Sequence, residues 1–348
     1  MQTLKSQGLK PGDRVACGLE GGLELPVALL AHLRAGLIHV PVNTRYRDAE
    51  VDHLFKLTGP SACVGLDRPP QPSSAHDIPS DAALLLSTSG TTGAPKGVLH
   101  THASLAAGIG ALTQSWEWAS NDQQILSLPL FHVHGLGIGL IGALMRGVPT
   151  HIMPRFDPTS VCDAMAKGGT LFMGVPTMYV ALVAHFDAQP EQAKSFQNAR
   201  LCCAGSAALS TDILRRFEEH TSQVILERYG MSETLITVSN PLNGERRAGS
   251  IGQALPGVKW RIEGGDEGEL WVRGPTMMHG YWQDAAATEE AHTEGWFRTG
   301  DRVRLDDQGY LQGNGRRANS VQKEGQVSRR GRELYVRMHH REKKPGRT

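Results

Sequence analysis

The run Ser87-Thr88-Ser89-Gly90-Thr91-Thr92-Gly93-Ala94-Pro95-Lys96-Gly97 places three glycines, five hydroxyls and a lysine directly after the apolar stretch Ala82–Leu86. Glycine lets a backbone approach a ligand closely, and successive N–H groups with nearby hydroxyls can turn toward phosphate oxygens. Lys96 adds positive charge at the end of the run. It is not a Walker A loop, which needs two glycines separated by four residues and then at once Lys and Ser/Thr. By composition alone it is either a phosphate cradle or a pliant surface loop.

Other residues could do chemistry with it. His132 and His134, two apart, would share a strand face and could begin a metal site, but two ligands without a third are an incomplete set. A plain core or surface pair is the other reading. Cys203-Ala204-Gly205-Ser206-Ala207-Ala208 ends on small residues, which leaves room for a flat ring or for close strand–helix packing. Glu233, in Tyr229-Gly230-Met231-Ser232-Glu233-Thr234, could share Mg²⁺ with a phosphate, because that ion prefers oxygen ligands supplied partly by substrate. It could equally be a solvated loop carboxylate, and Asp301 in Thr299-Gly300-Asp301 a turn aspartate.

In this order the strings resemble the acyl-adenylate-forming superfamily, which includes acyl-CoA synthetases, peptide-synthetase adenylation domains and beetle luciferases. LPLFHVHGL at 128–136, GVPTMY at 174–179, AGSAALS at 204–210, ERYGMSETL at 227–235 and RAGSIGQALPGV at 247–258 are similar to malonyl-CoA synthetases. The resemblance implies a set of roles. Thr88, Ser89, Gly90, Thr91, Thr92, Gly93 and Lys96 would hold the phosphates of ATP. Gly205 and Ser206 would wall the adenine, with Glu227, Arg228 and Tyr229 along the nucleotide. Ser232, in place of the family's usual threonine, would contact the α-phosphate, and Glu233 would coordinate Mg²⁺. Asp301 would receive the ribose hydroxyls, and Arg316, fifteen residues on, would contact ribose or phosphate beside a hinge. His132 and His134 would line the acyl site. Arg247 would hold the distal carboxylate of malonate, since a guanidinium grips a carboxylate through two parallel bonds; its neighbour Arg246 could take that part, or both could form a solvated turn. Lys96, His132 and Glu233 are the catalytic set so implied. The reaction would be attack of a small carboxylate on Mg·ATP to give acyl-AMP, then displacement of AMP by CoA.

The elements that must position these residues read as α/β. Short Val/Ile/Leu-rich runs alternate with amphipathic stretches: strands at 14–19, 38–42, 125–130, 150–153, 171–175, 201–204 and 224–227, helices at 23–35, 137–145, 158–167, 178–185 and 211–219. Strand–helix alternation with continuous apolar strands predicts parallel sheets covered by helices. After residue 249 short strands at 258–262, 269–272, 296–298 and 303–305 predict a small antiparallel β subdomain. The expected organisation is a nucleotide- and acyl-binding body over 1–248, the β subdomain over 249–316, and a basic tail over 317–348.

The resemblance stops at Arg316. The family continues into a C-terminal domain that supplies the adenylation lysine, and the tail matches none of it, so impaired turnover is expected. A nucleotide- or acyl-adenylate-binding body without catalysis is the rival reading. From Gly313 onward 11 Lys+Arg face 3 acids, leaving 25 basic and 32 acidic residues in the first 312. Few large apolar residues occur there, which predicts disorder. RNA binding through the tail has only this charge behind it and lacks a stacking platform, so no nucleic-acid partner is expected. Five cysteines, an odd number with no CxxC, suggest neither a disulfide framework nor a zinc site. Met1–Gly12 has no apolar core, and Gly135–Met145, the longest apolar stretch, is too short for a membrane span. A cytoplasmic location is expected.

Overall fold

The computed structural model describes residues 8–88 and 95–316, with side chains in the last strand as far as Gly313. Ser89, Gly90, Thr91, Thr92 and Gly93 of the expected phosphate loop, and the tail 317–348, lie outside the described residues. Residues up to Gly315 form one compact unit.

Strands β1 (Arg14–Cys17), β2 (Ile38–Pro41), β3 (Ala62–Val64), β4 (Ala82–Ser87) and β5 (Gly97–Thr101) build the first sheet. β1 to β4 pair in parallel, and β5 returns antiparallel to β4. The second sheet starts with β6 (Gln124–Leu126), β7 (Thr150–Ile152), β8 (Leu171–Gly174), β9 (Leu201–Ala204) and β10 (Leu226–Met231), all parallel. It turns antiparallel at β11 (Leu235–Ser239) and continues through β12 (Ser250–Ala254), β13 (Lys259–Glu263) and β14 (Glu267–Arg273). β15 (Gly280–Tyr281) leaves it to cap the first sheet beside β5, while β16 (His292–Thr293), β17 (Trp296–Leu305) and β18 (Leu311–Arg316) rejoin it.

Helices α1 (Glu24–Arg34), α2 (Asp48–Thr58), α3 (His102–Ser115), α4 (Gly142–Arg146), α5 (Pro158–Ala166), α6 (Pro176–Ala188), α7 (Thr211–Thr221) and α8 (Ala285–Glu290) connect the strands. Their starts are written in the sequence. Thr101, Asp157 and Ser210 each accept the N–H three residues on, which satisfies a donor the first helical turn leaves open. Pro158 and Pro176 stand at first-turn positions that need no N–H.

Parallel strands buried on both faces explain the continuous apolar runs: Leu84, Leu85, Phe172, Met173, Leu201 and Cys203 are all buried. On one side of the second sheet Phe172, Tyr179, Phe196 and Phe217 meet edge to face at centroid distances of 5.2–5.8 Å. That arrangement sets the positive ring edge of one against the negative face of another.

Some of the expected elements change, among them the single unbroken strand β17 where two short strands at 296–298 and 303–305 were expected. The strand expected over 125–130 ends at Leu126, and His134–Ile141 is a π-helical turn that runs into α4. Gly135 permits this, because a Cβ there would lie 2.3 Å from the Pro129 carbonyl oxygen. His132 and His134 therefore do not share a strand face: His132 is exposed and His134 buried. The strand expected at 224–227 is β10, which carries the Tyr229-Gly230-Met231 string itself.

Candidate active site

The phosphate-loop string joins β4 to β5 as a hairpin. Ser87 pairs with Gly97, and the base is closed by Thr88 N–H to the Lys96 carbonyl at 2.9 Å and Lys96 N–H to Thr88 Oγ1 at 3.1 Å. An antiparallel return is what brings Lys96 back beside the start of the loop. Its ammonium lies 4.5 Å from the centre of the Tyr281 ring, a cation–π contact.

A second hairpin faces the first. β10 and β11 are antiparallel, with Ser232, Glu233 and Thr234 at the turn. Leu235 begins the return strand at φ 56°, a left-handed conformation that side chains seldom adopt. Among the described residues, three contacts from other elements hold this turn. His100 Nε2 donates to the Ser232 carbonyl at 2.6 Å, and the Met278 N–H donates to the Glu233 carbonyl at 2.7 Å. The Tyr281 hydroxyl donates to Glu233 Oε1 at 3.1 Å. A carbonyl only accepts, so His100 carries its proton on Nε2, and Nδ1 is left to accept from Ser104 Oγ at 3.0 Å. Burial pushes the His100 pKa down to about 4, which keeps this tautomer neutral. Within β10, the Tyr229 hydroxyl donates to Asp301 Oδ2 at 2.7 Å and links the hairpin to β17.

The third part is a buried cation. β9 and β10 are parallel with Ala204 beside Glu227, so the next residues, Gly205 and Arg228, run side by side. A Cβ on Gly205 would stand 2.2 Å from the guanidinium carbon of Arg228; the absent side chain makes the space that the guanidinium fills. Arg228 is 5% exposed, and its Nε and Nη2 meet no acceptor among the described residues. Burial lowers its pKa to about 10, so it remains charged at neutral pH. His134 is also buried, with Nδ1 3.5 Å from Ser206 Oγ and Nε2 without a partner among the described residues. Burial first, and then the charge of Arg228, hold His134 neutral well below the ordinary imidazole range. Ser206 takes a left-handed backbone at φ 71°, turning the chain sharply after β9.

With this geometry in place, comparison with known proteins is decisive. The AMP-binding enzyme family model matches residues 2–78 and 67–282. The chain belongs to that family. A malonate–CoA ligase of Arabidopsis thaliana is 37% identical over 267 residues, covering 70% of this chain and 44% of that protein. A mitochondrial malonate–CoA ligase of Mus musculus is 37% identical, covering 87% of this chain and 65% of its own length. The chain thus spans about half to two thirds of these relatives. A malonyl-CoA ligase in a ternary product complex with methylmalonyl-CoA and AMP superposes with a TM-score of 0.81 at 38% identity, covering 88% of this chain and 72% of that one. ATP-bound MatB from Rhodopseudomonas palustris gives a TM-score of 0.81 at 32% identity, with 90% and 71% covered. The α/β fold with its helix-covered parallel sheets is that of these family members.

The residues singled out in the sequence fall into several groups. Lys96 and Glu233 are brought together through Tyr281, and Gly205, Ser206, Arg228 and His134 form a second group. Glu227 instead braces a loop, accepting the Gly249 N–H at 2.9 Å, and burial raises its pKa. Arg247, expected to hold the distal carboxylate, is engaged by protein groups. It donates to Asp306 at 2.7 Å and Glu245 at 3.0 Å and lies over the Tyr310 ring at 4.3 Å, so its charge is already matched. Arg246 is likewise engaged, with the carbonyls of Val224 and Leu242. His132 is exposed against Phe131. The backbone of Arg316 ends β18, and its side chain is outside the described residues. Two residues that sequence reasoning passed over, His100 and Tyr281, turn out to hold the Ser232-Glu233 turn. Neither lies in a string that signals chemistry.

A single buried carboxylate with a lysine nearby suits Mg²⁺, which binds through one or two carboxylates plus substrate phosphates. Among the described residues no cluster of three or more His, Cys, Asp or Glu could hold a metal unaided. No helix among them is long and apolar enough to cross a membrane.

Proposed function

We propose that the chain is the nucleotide- and acyl-binding body of an ATP-dependent acid–CoA ligase of the malonyl-CoA synthetase type. The observation that carries the substrate class is Arg228. A buried charge that its surroundings only partly satisfy costs several kcal/mol, which a ligand of opposite sign would offset. A monocarboxylic acid spends its carboxylate on the α-phosphorus and would leave the guanidinium bare. A short dicarboxylate has a second carboxylate to offer it. Arg228, rather than Arg247, therefore receives the distal carboxylate in this reading.

The remaining roles follow from chemistry. Thr88 to Gly93 and Lys96 bind the phosphates, Ser232 meets the α-phosphate, and Asp301 holds the ribose, its carboxylate oriented by Tyr229. Neutral His134 walls the acyl group without competing with Arg228 for the carboxylate. Mg²⁺, held by Glu233 together with phosphate oxygens, would neutralise charge as pyrophosphate leaves. These groups act by positioning and charge neutralisation, with no covalent step on the protein. CoA then displaces AMP from the adenylate.

Calorimetry on the folded chain tests the reading. ATP should bind more tightly with Mg²⁺ than without, and malonate should bind the AMP-loaded protein more tightly than butyrate. Absence of nucleotide binding, or equal affinity for the two acids, would overturn it.

A further inference from the structure

We infer that Tyr281 is a positioning residue of the nucleotide site, coupling the lysine of the phosphate loop to the carboxylate of the facing hairpin. The inference rests on the reading of Lys96 and Glu233 given above.

Tyr281 belongs to neither hairpin. It arrives on β15, and its backbone is fixed from three sides. His279 N–H donates to the Leu99 carbonyl at 2.8 Å and Trp282 N–H to the Gly97 carbonyl at 2.7 Å, which seats the strand on β5 immediately after Lys96. Met278 N–H, three residues before Tyr281, holds the Glu233 carbonyl at 2.7 Å. Tyr281 N–H donates to Thr288 Oγ1 at 2.9 Å, so α8 holds the outer side. Among the described residues, the ring from this anchored backbone then makes two contacts of opposite character. Its face lies 4.5 Å from the Lys96 ammonium, and its hydroxyl donates to Glu233 Oε1 at 3.1 Å.

A phenol can hold a cation and an anion at once because the π face is negative and the O–H dipole presents a positive end. It does so across a rigid ring, so the spacing between the two charges is set by the ring and not by two long flexible side chains. Lys and Glu each carry rotamer freedom that must be lost when phosphate and Mg²⁺ bind. Tyr281 restricts both before the ligand arrives. The two contacts are separable by substitution. Tyr281→Phe keeps the face that meets Lys96 and removes the hydroxyl that meets Glu233. Tyr281→Leu removes both.

The test is calorimetric titration of the unsubstituted chain and both variants with ATP in EDTA, ATP with Mg²⁺, and AMP. Tyr281→Phe should leave ATP affinity in EDTA and AMP affinity within about twofold, and reduce the Mg²⁺ enhancement of ATP binding about tenfold, the scale of one hydrogen bond to a charged group. Tyr281→Leu should in addition weaken ATP in EDTA. A Tyr281→Phe variant with full Mg²⁺ enhancement overturns the inference and leaves the functional reading standing. A uniform loss for ATP and AMP in either folded variant overturns it as well, because that is what a merely structural residue would give. An unsubstituted chain that binds no nucleotide removes the functional reading and this inference together. Should Tyr281→Leu fail to fold, the near-isosteric Phe variant alone decides.

Discussion

Gly205 and Arg228 stand in van der Waals exclusion: a methyl group on the first would sit 2.2 Å from the guanidinium carbon of the second. No side chain can be added to Gly205 unless the guanidinium moves. Gly205→Ala should push the guanidinium off its seat, destabilising the fold by about 1–3 kcal/mol, the usual cost of overpacking. The same variant should lose its preference for malonate over butyrate. Urea denaturation and calorimetry read the two effects, and an unaltered preference would show that Arg228 is not where the selectivity resides.

Removing the charge should separate stability from binding. A hydrophobic residue of similar length spares the protein the desolvation of a buried ion, so Arg228→Met should be neutral or stabilising without ligand. It should also lose about 1.5–3 kcal/mol of malonate affinity, the worth of a hydrogen bond to a charged group. Arg247→Ala should leave malonate selectivity intact. A thermal shift assay with and without malonate distinguishes the outcomes, and the reverse pattern would return the role to Arg247.

Stability should fall steeply in mild acid. His32, His39 and His100 are buried with pKa values lowered to about 4, about 3 and about 4, and His134 is lowered well below the ordinary value. The cause in each is burial, with His39 further opposed by His32, whose Nδ1 lies 3.0 Å away. The unfolded chain takes up these protons near pH 6.5 while the folded chain refuses them. The contribution is therefore complete above pH 6.5 and is lost as pH drops toward 4, at up to about 1.4 kcal/mol per pH unit for each histidine. Denaturation midpoints measured from pH 7 to 4 should show this slope. His100→Asn should be less stable at pH 7 and lessen the slope by about one proton. A flat profile would mean these rings are not held neutral.

The parts of the fold that were legible in the sequence were those in which local and global physics agree. Leu201–Ala204 reads as a buried strand because four small or apolar residues end at a glycine, and the structure gives the same bounds. The helix His102–Ser115 went unassigned, since two glycines and a low polar content blur its amphipathic period; it is buried along Leu105, Ile109 and Leu112. β17 read as two short strands because Thr299-Gly300-Asp301 looks like a turn, yet it runs unbroken through them. In the site, hydroxyls, glycines and Glu233 announced themselves as motif. Arg228 was visible as a residue but not as a buried cation, because what isolates it is the register of β9 against β10. Arg247 was given a substrate role by resemblance, and its partner Asp306, far away in the chain, is brought to it only by folding.

The pairing of β15 with β5 has a consequence for how the chain is made. The first sheet is nearly complete once residue 101 has left the ribosome, but the strand that covers its outer edge is Gly280–Tyr281. At about 5–20 residues per second, that edge waits roughly ten to forty seconds for its cover. For that interval a row of unpaired N–H and C=O groups on an apolar strand is open to any other nascent strand. The residue that seats the lysine and the glutamate is thus borne by the same short segment that ends this exposure, so the β5 edge is covered at the step that completes the nucleotide site.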